Sequence, residues 1–355
     1  MNNKFIILAC ILLLFSCDNS QKDDTKNEFE ALMGSRKKVW EFVQTHEDRS
    51  KLEVFKSIYM KNKDLQNNKN HYKKMPKIIH FIWIGPNPFP KESVENIQSW
   101  VSSHPEYQIK FWSDRRRPLP NKKMQLNLVA DFEFKFLKEC YDESDNYAEK
   151  ADLLRYELIY QEGGIYVDHD VQCHKTFNSL IENYDFFCGV EPPKEQVFLS
   201  SSVNACNNLI AARPSHPVLE ETIKNVLATW DEFTLAFPNN DKESTISRVA
   251  HRTFAPFDKA VINKAAQGED KDIIFPAGYF NILDGDMGHF AHHFYSASWY
   301  EDETKFEKNV RKKLTSITKK NNQILLFNGV ILIANLALFS GLFFQYQSLK
   351  RINKK

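Results

Sequence analysis

The chain has 355 residues, 42% hydrophobic and 26% charged, a composition that excludes disordered, collagen-like and disulfide-scaffold proteins. Its 47 basic and 46 acidic residues leave a net charge of +1, so there is no electrostatic case for a nucleic-acid partner. Cys140, Cys173, Cys188 and Cys206 are irregularly spaced, form no Cys-x-x-Cys pair, and read as packed thiols rather than disulfides or zinc ligands.

In chain order, residues 1–17 carry an apolar run from Phe5 to Phe15 that ends at Ser16-Cys17. That is the shape of a secretory signal, with Cys17 placed as in a bacterial lipoprotein site, or else of a short membrane anchor. Residues 18–74 form a helical segment and a polar linker. Val39, Trp40, Val43, Leu52, Phe55 and Ile58 supply the helical periodicity, and "KNKDLQNNKNHYKK" supplies the linker. From 75 to 300 strand patterns alternate with helical ones, which predicts an α/β domain. "KIIHFIWIG" is an almost continuous apolar run and predicts a central parallel strand covered on both faces. Trp83 stands at its carboxyl end, either as core packing or as a flat surface for a nucleotide base. "YQIKFW", from Tyr107 to Trp112, is a second strand.

"NYAEKADLLRYELIYQEGG" reads as one helix with Ala148, Ala151, Leu154 and Leu158 on an apolar stripe. Asp152 and Arg155 are neighbours on another face, where a plain surface pair contributes about 0–1 kcal/mol. Gly163-Gly164 stops the helix. The chain then enters the strand Ile165–Val167 and reaches Asp168-His169-Asp170, whose two carboxylates would share one face of an extended segment. Paired carboxylates at the end of a buried strand suit a divalent cation. A metal-dependent nuclease also uses paired aspartates, but no further acid cluster with two-metal spacing follows. Residues 301–323 are a basic segment, 324–346 an uncharged apolar run long enough to span a bilayer as a transmembrane helix, and 347–355 a basic tail. The chain is therefore expected at a membrane, but basic residues on both flanks leave its orientation open.

Four segments, "PKIIHFIWIG", "YQIKFW", "ADLLRYELIYQEGGIYVDHD" and "HHFYSASW", occur in order and together resemble glycosyltransferase family 32. These are glycosyltransferases with an Asp-x-Asp sugar-binding region, including yeast mannosyltransferases and, more distantly, the glucosylating domains of large clostridial toxins. The resemblance implies a GT-A fold, a Rossmann-like mixed sheet with flanking helices. It also implies a retaining hexosyltransferase that uses Mn²⁺ or Mg²⁺ and a nucleotide-diphosphate sugar, GDP-mannose or UDP-hexose, toward a glycan, lipid or protein acceptor. Trp83 would stack on the base, and Asp152, Arg155 and Asn204 would hold the donor sugar. Asp168 would meet ribose and metal, Asp170 and His293 the metal, and Ser298 and Trp299 the diphosphate. Where relatives often have Gly-Pro, this chain has "HRTFAP", with Ala255 before Pro256. Two rivals are an effector-like protein glycosyltransferase and a non-catalytic membrane lipoprotein that retains the fold.

Overall fold

Seven short strands build the central sheet, and their order explains why the first apolar run is so continuous. In the computed structural model, which describes residues 28–67, 75–194, 199–239, 241–267, 270–283 and 285–296, the order is β3-β2-β1-β4-β7-β6-β8. β1 (Ile78–Ile82) lies between β2 (Gln108–Ser113) and β4 (Gly164–Val167), parallel to both, and β3 (Gln125–Leu128) extends this parallel half. The sheet then changes sense. β7 (Ala205–Ala212) is antiparallel to β4 and to β6 (Phe186–Val190), and β8 (Asp272–Phe275) runs parallel to β6. The expected α/β mixed sheet with flanking helices is thus present.

A separate two-stranded ribbon pairs β5 (Val171–Cys173) with β9 (Ala291–His293), setting Val171 opposite His293. This ribbon joins the end of β4 to a segment far along the chain.

The helix Tyr147–Glu162 starts where Asn146 accepts hydrogen bonds from the amides of Ala148 (2.8 Å) and Glu149 (3.1 Å). It ends at Gly163 (φ 69°) and Gly164 (φ 94°). A Cβ on Gly164 would lie 2.6 Å from the Ile78 carbonyl oxygen, so β4 can join β1 only with glycine there. The predicted single apolar stripe is too narrow a description. Residues 152 to 159 are all buried, because the sheet covers one side of this helix and Pro217–Ala236 with the turn at Ala250–Phe254 covers another.

The amino-terminal helix does not stand apart. His46–Asn62, capped reciprocally by Thr45 and Asp48, packs on β8 and buries Leu52, Phe55, Ile58 and Tyr59 in the common core. Asn62 donates to the Asp272 carbonyl at 2.8 Å, and Lys51 pairs with buried Asp258 at 2.8 Å. The four cysteines between 140 and 206 are buried free thiols, as expected.

No helix among the described residues is long and apolar enough to cross a membrane. The proposed signal or anchor at 1–17, the basic segment 301–323, the span 324–346 and the tail 347–355 lie outside the described residues, as does the second half of the polar linker, 68–74. Its first half is helical, running on from His46–Asn62 into a 3-10 turn, Lys63–Asn67.

Candidate functional site

The two aspartates do come together, but not in the way strand alternation predicts. β4 ends at Val167, and Asp168-His169-Asp170 form a turn in which the Val171 amide donates to the Asp168 carbonyl at 3.2 Å. The turn, not an extended face, brings the carboxylates to one side, and the β5–β9 ribbon brings His293 alongside. One ligand atom from each of Asp168, Asp170 and His293 lies within 4.8 Å of the others. That spread fits donors arranged at roughly 2.0–2.6 Å around one ion.

Asp170 is buried and accepts the Ser296 amide at 2.7 Å, with His293 Nε2 3.1 Å from its Oδ1. Burial opposes its charge, but the hydrogen bonds from His293 and the Ser296 amide outweigh that. Its carboxyl is held well below the usual carboxylate range. Asp168 is a quarter exposed and accepts from Arg155 Nη2 at 3.1 Å and from the Tyr166 hydroxyl. A half-shielded carboxylate pair beside an imidazole is a donor set suited to Mn²⁺ or Mg²⁺.

Beneath this pair lies a buried charge network. Arg155 Nη2 is 2.9 Å from Asp152, Nη1 donates to the Asn207 carbonyl at 2.6 Å, and the guanidinium sits 4.1 Å from the Tyr166 ring centroid. Both charged residues are almost fully buried, so the reading of a plain surface pair is corrected. One arginine serves two carboxylates here. Burial, only partly offset by Arg155 and Thr253, raises the Asp152 carboxyl to about 6. Burial also opposes the Arg155 charge, but Asp152, Tyr166 and Asp168 outweigh it and hold the guanidinium protonated.

Thr253 completes the network by donating to Asp152 Oδ2 at 2.7 Å. It projects from a π-helical turn, Ala250–Phe254, within the "HRTFAP" departure. That stretch is helical, and the next helix, Ala255–Lys264, carries Pro256 in its first turn.

Trp83 is partly buried and donates to the Asn87 carbonyl at 3.0 Å, with Phe89 and His169 against its ring. His169 is not a free spectator of the motif. Its Nδ1 is 2.8 Å from the Ser93 hydroxyl, and its ring packs against both Trp83 and Phe89, which also touch each other. Asn204 is not brought to the carboxylates: its side chain binds the Ser201 carbonyl (2.7 Å) and Lys51 (2.9 Å). Two residues that sequence reasoning passed over take places at the site. Asn207 Nδ2 donates to Asp152 at 3.2 Å and to the Tyr156 hydroxyl at 3.0 Å, and Asn208 Nδ2 donates to His293 Nδ1 at 2.7 Å. The available signal was an Asn-Asn pair inside an otherwise apolar strand. Ser298 and Trp299 lie outside the described residues.

A second His-Asp group, His216, Asp270 and Asp272, is already engaged. His216 caps the helix Pro217–Ala236 and bonds Asp272 at 3.1 Å, while Arg213 holds Asp270 at 3.1 Å.

Residues 90–187, which contain the turn and its supporting helix, match the family described as glycosyltransferase sugar-binding region containing DXD motif. Over that stretch the chain is similar to the sugar-binding region of the DXD glycosyltransferases. It is 32% identical over 153 residues to an uncharacterized glycosyltransferase, L373, of Acanthamoeba polyphaga mimivirus, covering 43% of this chain and 55% of the relative. It is also 29% identical over 175 residues to inositol phosphoceramide mannosyltransferase 3 of Schizosaccharomyces pombe, covering 48% of this chain and 44% of the relative. The chain thus spans about half the length of these curated relatives. Among solved structures, the catalytic domain of alpha-toxin from Clostridium novyi is similar at a TM-score of 0.37 and 10% identity, over 68% of this chain and 74% of that one.

Proposed function

We propose that this chain is a divalent-cation-dependent retaining glycosyltransferase that moves a hexose from a nucleotide-diphosphate sugar to a glycan, lipid or protein acceptor. The observation that carries the reading is the convergence of Asp168, Asp170 and His293 at the carboxyl end of β4, over a buried Asp152–Arg155 pair. The carboxyl ends of strands are where ligands bind in open α/β sheets.

Asp168, Asp170 and His293 are the residues that would hold Mn²⁺ or Mg²⁺, which as a Lewis acid would neutralise charge on a departing nucleotide diphosphate. The chain's own contributions follow from its contacts. Arg155 orients Asp168, because its Nη atoms are already committed to Asp168, Asp152 and the Asn207 carbonyl. Asp152, Thr253 and Asn207 fix Arg155 in turn, so the carboxylates need little reorganisation when donor arrives. The Asp152 edge of this network is assigned to hydroxyls of the donor sugar, Trp83 to the base, and Ser298-Trp299 to the diphosphate. Asn204 remains a proposed donor-side residue, held by Lys51 rather than by the carboxylates.

Relatives named as inositol phosphoceramide mannosyltransferases make mannose the first donor sugar to test and a phosphoinositol-bearing lipid the first acceptor. Attachment to a membrane through residues 324–346 fits such an acceptor and belongs to the same proposal. The test is incubation of the full chain with labelled GDP-mannose and UDP-hexoses, against lipid, glycan and protein acceptors, with Mn²⁺ or with chelator. Transfer that depends on Mn²⁺ is expected for at least one donor. Mn²⁺-independent transfer, or neither transfer nor donor hydrolysis with any donor, contradicts the proposal.

A further inference from the structure

His293 is gripped at both ends of its ring. Nε2 faces Asp170 Oδ1 at 3.1 Å, and Nδ1 receives the Asn208 amide nitrogen at 2.7 Å. With Asn208 donating, Nδ1 is bare, and the ring proton of the neutral imidazole sits on Nε2, directed at Asp170. A nitrogen that carries a proton offers no lone pair to a cation. The other end of the same amide is unusual: Asn208 Oδ1 is buried and has no hydrogen-bond partner among the described residues. Buried carbonyl oxygens are rarely left so. The Asn208 backbone is meanwhile fixed, since its carbonyl accepts the Asp168 amide at 2.8 Å.

We infer that Asn208 is the positioning residue for His293, and that its side-chain amide takes one of two orientations according to whether a cation is bound. The inference rests on the cation site proposed above. The two ends of a carboxamide have nearly the same shape, so reversing it leaves the packing unchanged and exchanges Oδ1 for Nδ2 in the position without a partner among the described residues. After reversal, Oδ1 accepts a proton on Nδ1, and Nε2 presents its lone pair toward Asp168 and Asp170. The ring loses one proton from Nε2 and gains one on Nδ1, so its net protonation is unchanged. Without a cation, Asp170 needs a donor, and Nε2–H supplies it. With one, Asp170 needs none, and Nε2 must be bare. An asparagine at 208 serves both states, because it can donate or accept at the same point. The orphaned oxygen is thus the atom used in the second state. Histidine ligands are commonly oriented through their other ring nitrogen in this way.

The test uses the full chain and Mn²⁺ itself, with free Mn²⁺ counted by electron paramagnetic resonance. Asn208→Leu removes both settings and should weaken Mn²⁺ binding about 10–100-fold, the usual effect of losing such an orienting group. Asn208→Asp accepts from Nδ1–H permanently and should bind Mn²⁺ at least as tightly as the wild type. A wild-type measurement avoids variants altogether. In ¹⁵N-histidine spectra, the proton of His293 should move from Nε2 to Nδ1 on addition of diamagnetic Mg²⁺. Equal weakening by Asp and Leu, or a proton that stays on Nε2 in the Mg²⁺ complex, overturns the inference while leaving the cation site standing. If the wild type binds neither ion, the cation reading fails and takes this inference with it.

Discussion

Arg155→Met tests whether one buried guanidinium holds two carboxylates in place. Methionine keeps much of the apolar volume but removes the charge, the Nη contacts to Asp152 and Asp168, and the stack on Tyr166. Removing one partner of a buried ion pair costs about 3–5 kcal/mol, because the remaining charge is left uncompensated. The cost must depend on pH. The Asp152 carboxyl titrates at about 6 with Arg155 present, so at pH 8 it is ionised in the wild type, and losing Arg155 forces it either to stay charged in the interior or to take up a proton against the pH. At pH 5 it is mostly protonated, and the loss should shrink to about 1–2 kcal/mol, the scale of neutral hydrogen bonds and packing. In the wild type the same shift has a definite sign. The folded pKa lies above the unfolded value of about 4, so the folded chain binds more protons in between. The stability contributed by Asp152 is full below pH 4 and is lost as pH rises through about 6. Urea unfolding of wild type, Arg155→Met, Asp152→Asn and the double variant at pH 5 and pH 8 supplies the numbers. At pH 8 the cycle should return a coupling of about 1–3 kcal/mol. A loss below about 1 kcal/mol at pH 8, or one that does not change with pH, refutes the buried network.

Other consequences can be checked separately. His80 is fully buried between the Trp112 indole N–H (3.1 Å) and the Gly163 carbonyl (3.0 Å), and burial lowers it to about 4. Unfolded histidine binds its proton from about pH 6.5, so stability should fall as pH drops from 6.5 to 4, and His80→Gln, compared by thermal unfolding, should flatten that slope. Trp83→Ala should raise donor KM by a factor equivalent to about 1–3 kcal/mol if a base stacks there, with Trp83→Phe milder; a fall in thermal stability with unchanged KM would assign the ring to packing against Phe89 and His169. A chain starting at residue 75 loses Phe55, Tyr59 and the Lys51–Asp258 pair, and should fail to give a soluble, cooperatively unfolding protein; a stable truncated domain would contradict the shared core.

Local pattern made β1, the helix Tyr147–Glu162, its double-glycine stop and β4 legible, since each depends on residues near one another in sequence. What the pattern lacked was partners. Strand periodicity placed Asp168 and Asp170 on one face, whereas the turn into β5 brings them together, and only the pairing of β5 with β9 shows why His293 lies beside them. Asp152 and Arg155 read as a surface pair because nothing in their spacing reveals that a sheet, another helix and a π turn enclose them. The amino-terminal stripe of Phe55, Ile58 and Tyr59 signalled burial without saying against what. Asn207 and Asn208 escaped notice because the role of a buried amide lies in its partners, here Asp152 and His293.

At the centre of the proposed function, Asp168, Asp170 and His293 hold a cation against the diphosphate of a donor. The most direct measurement is calorimetric titration of UDP and of GDP into wild type and Asp170→Asn, each with Mn²⁺ and with chelator. Asparagine matches the shape of the carboxylate but removes its charge, so the variant should fold. The wild type should bind one of the two nucleotides at least tenfold more tightly with Mn²⁺, and Asp170→Asn should lose that gain, about 1.4 kcal/mol or more. Equal affinity with and without Mn²⁺ in the wild type, or an undiminished Mn²⁺ effect in Asp170→Asn, would contradict that role.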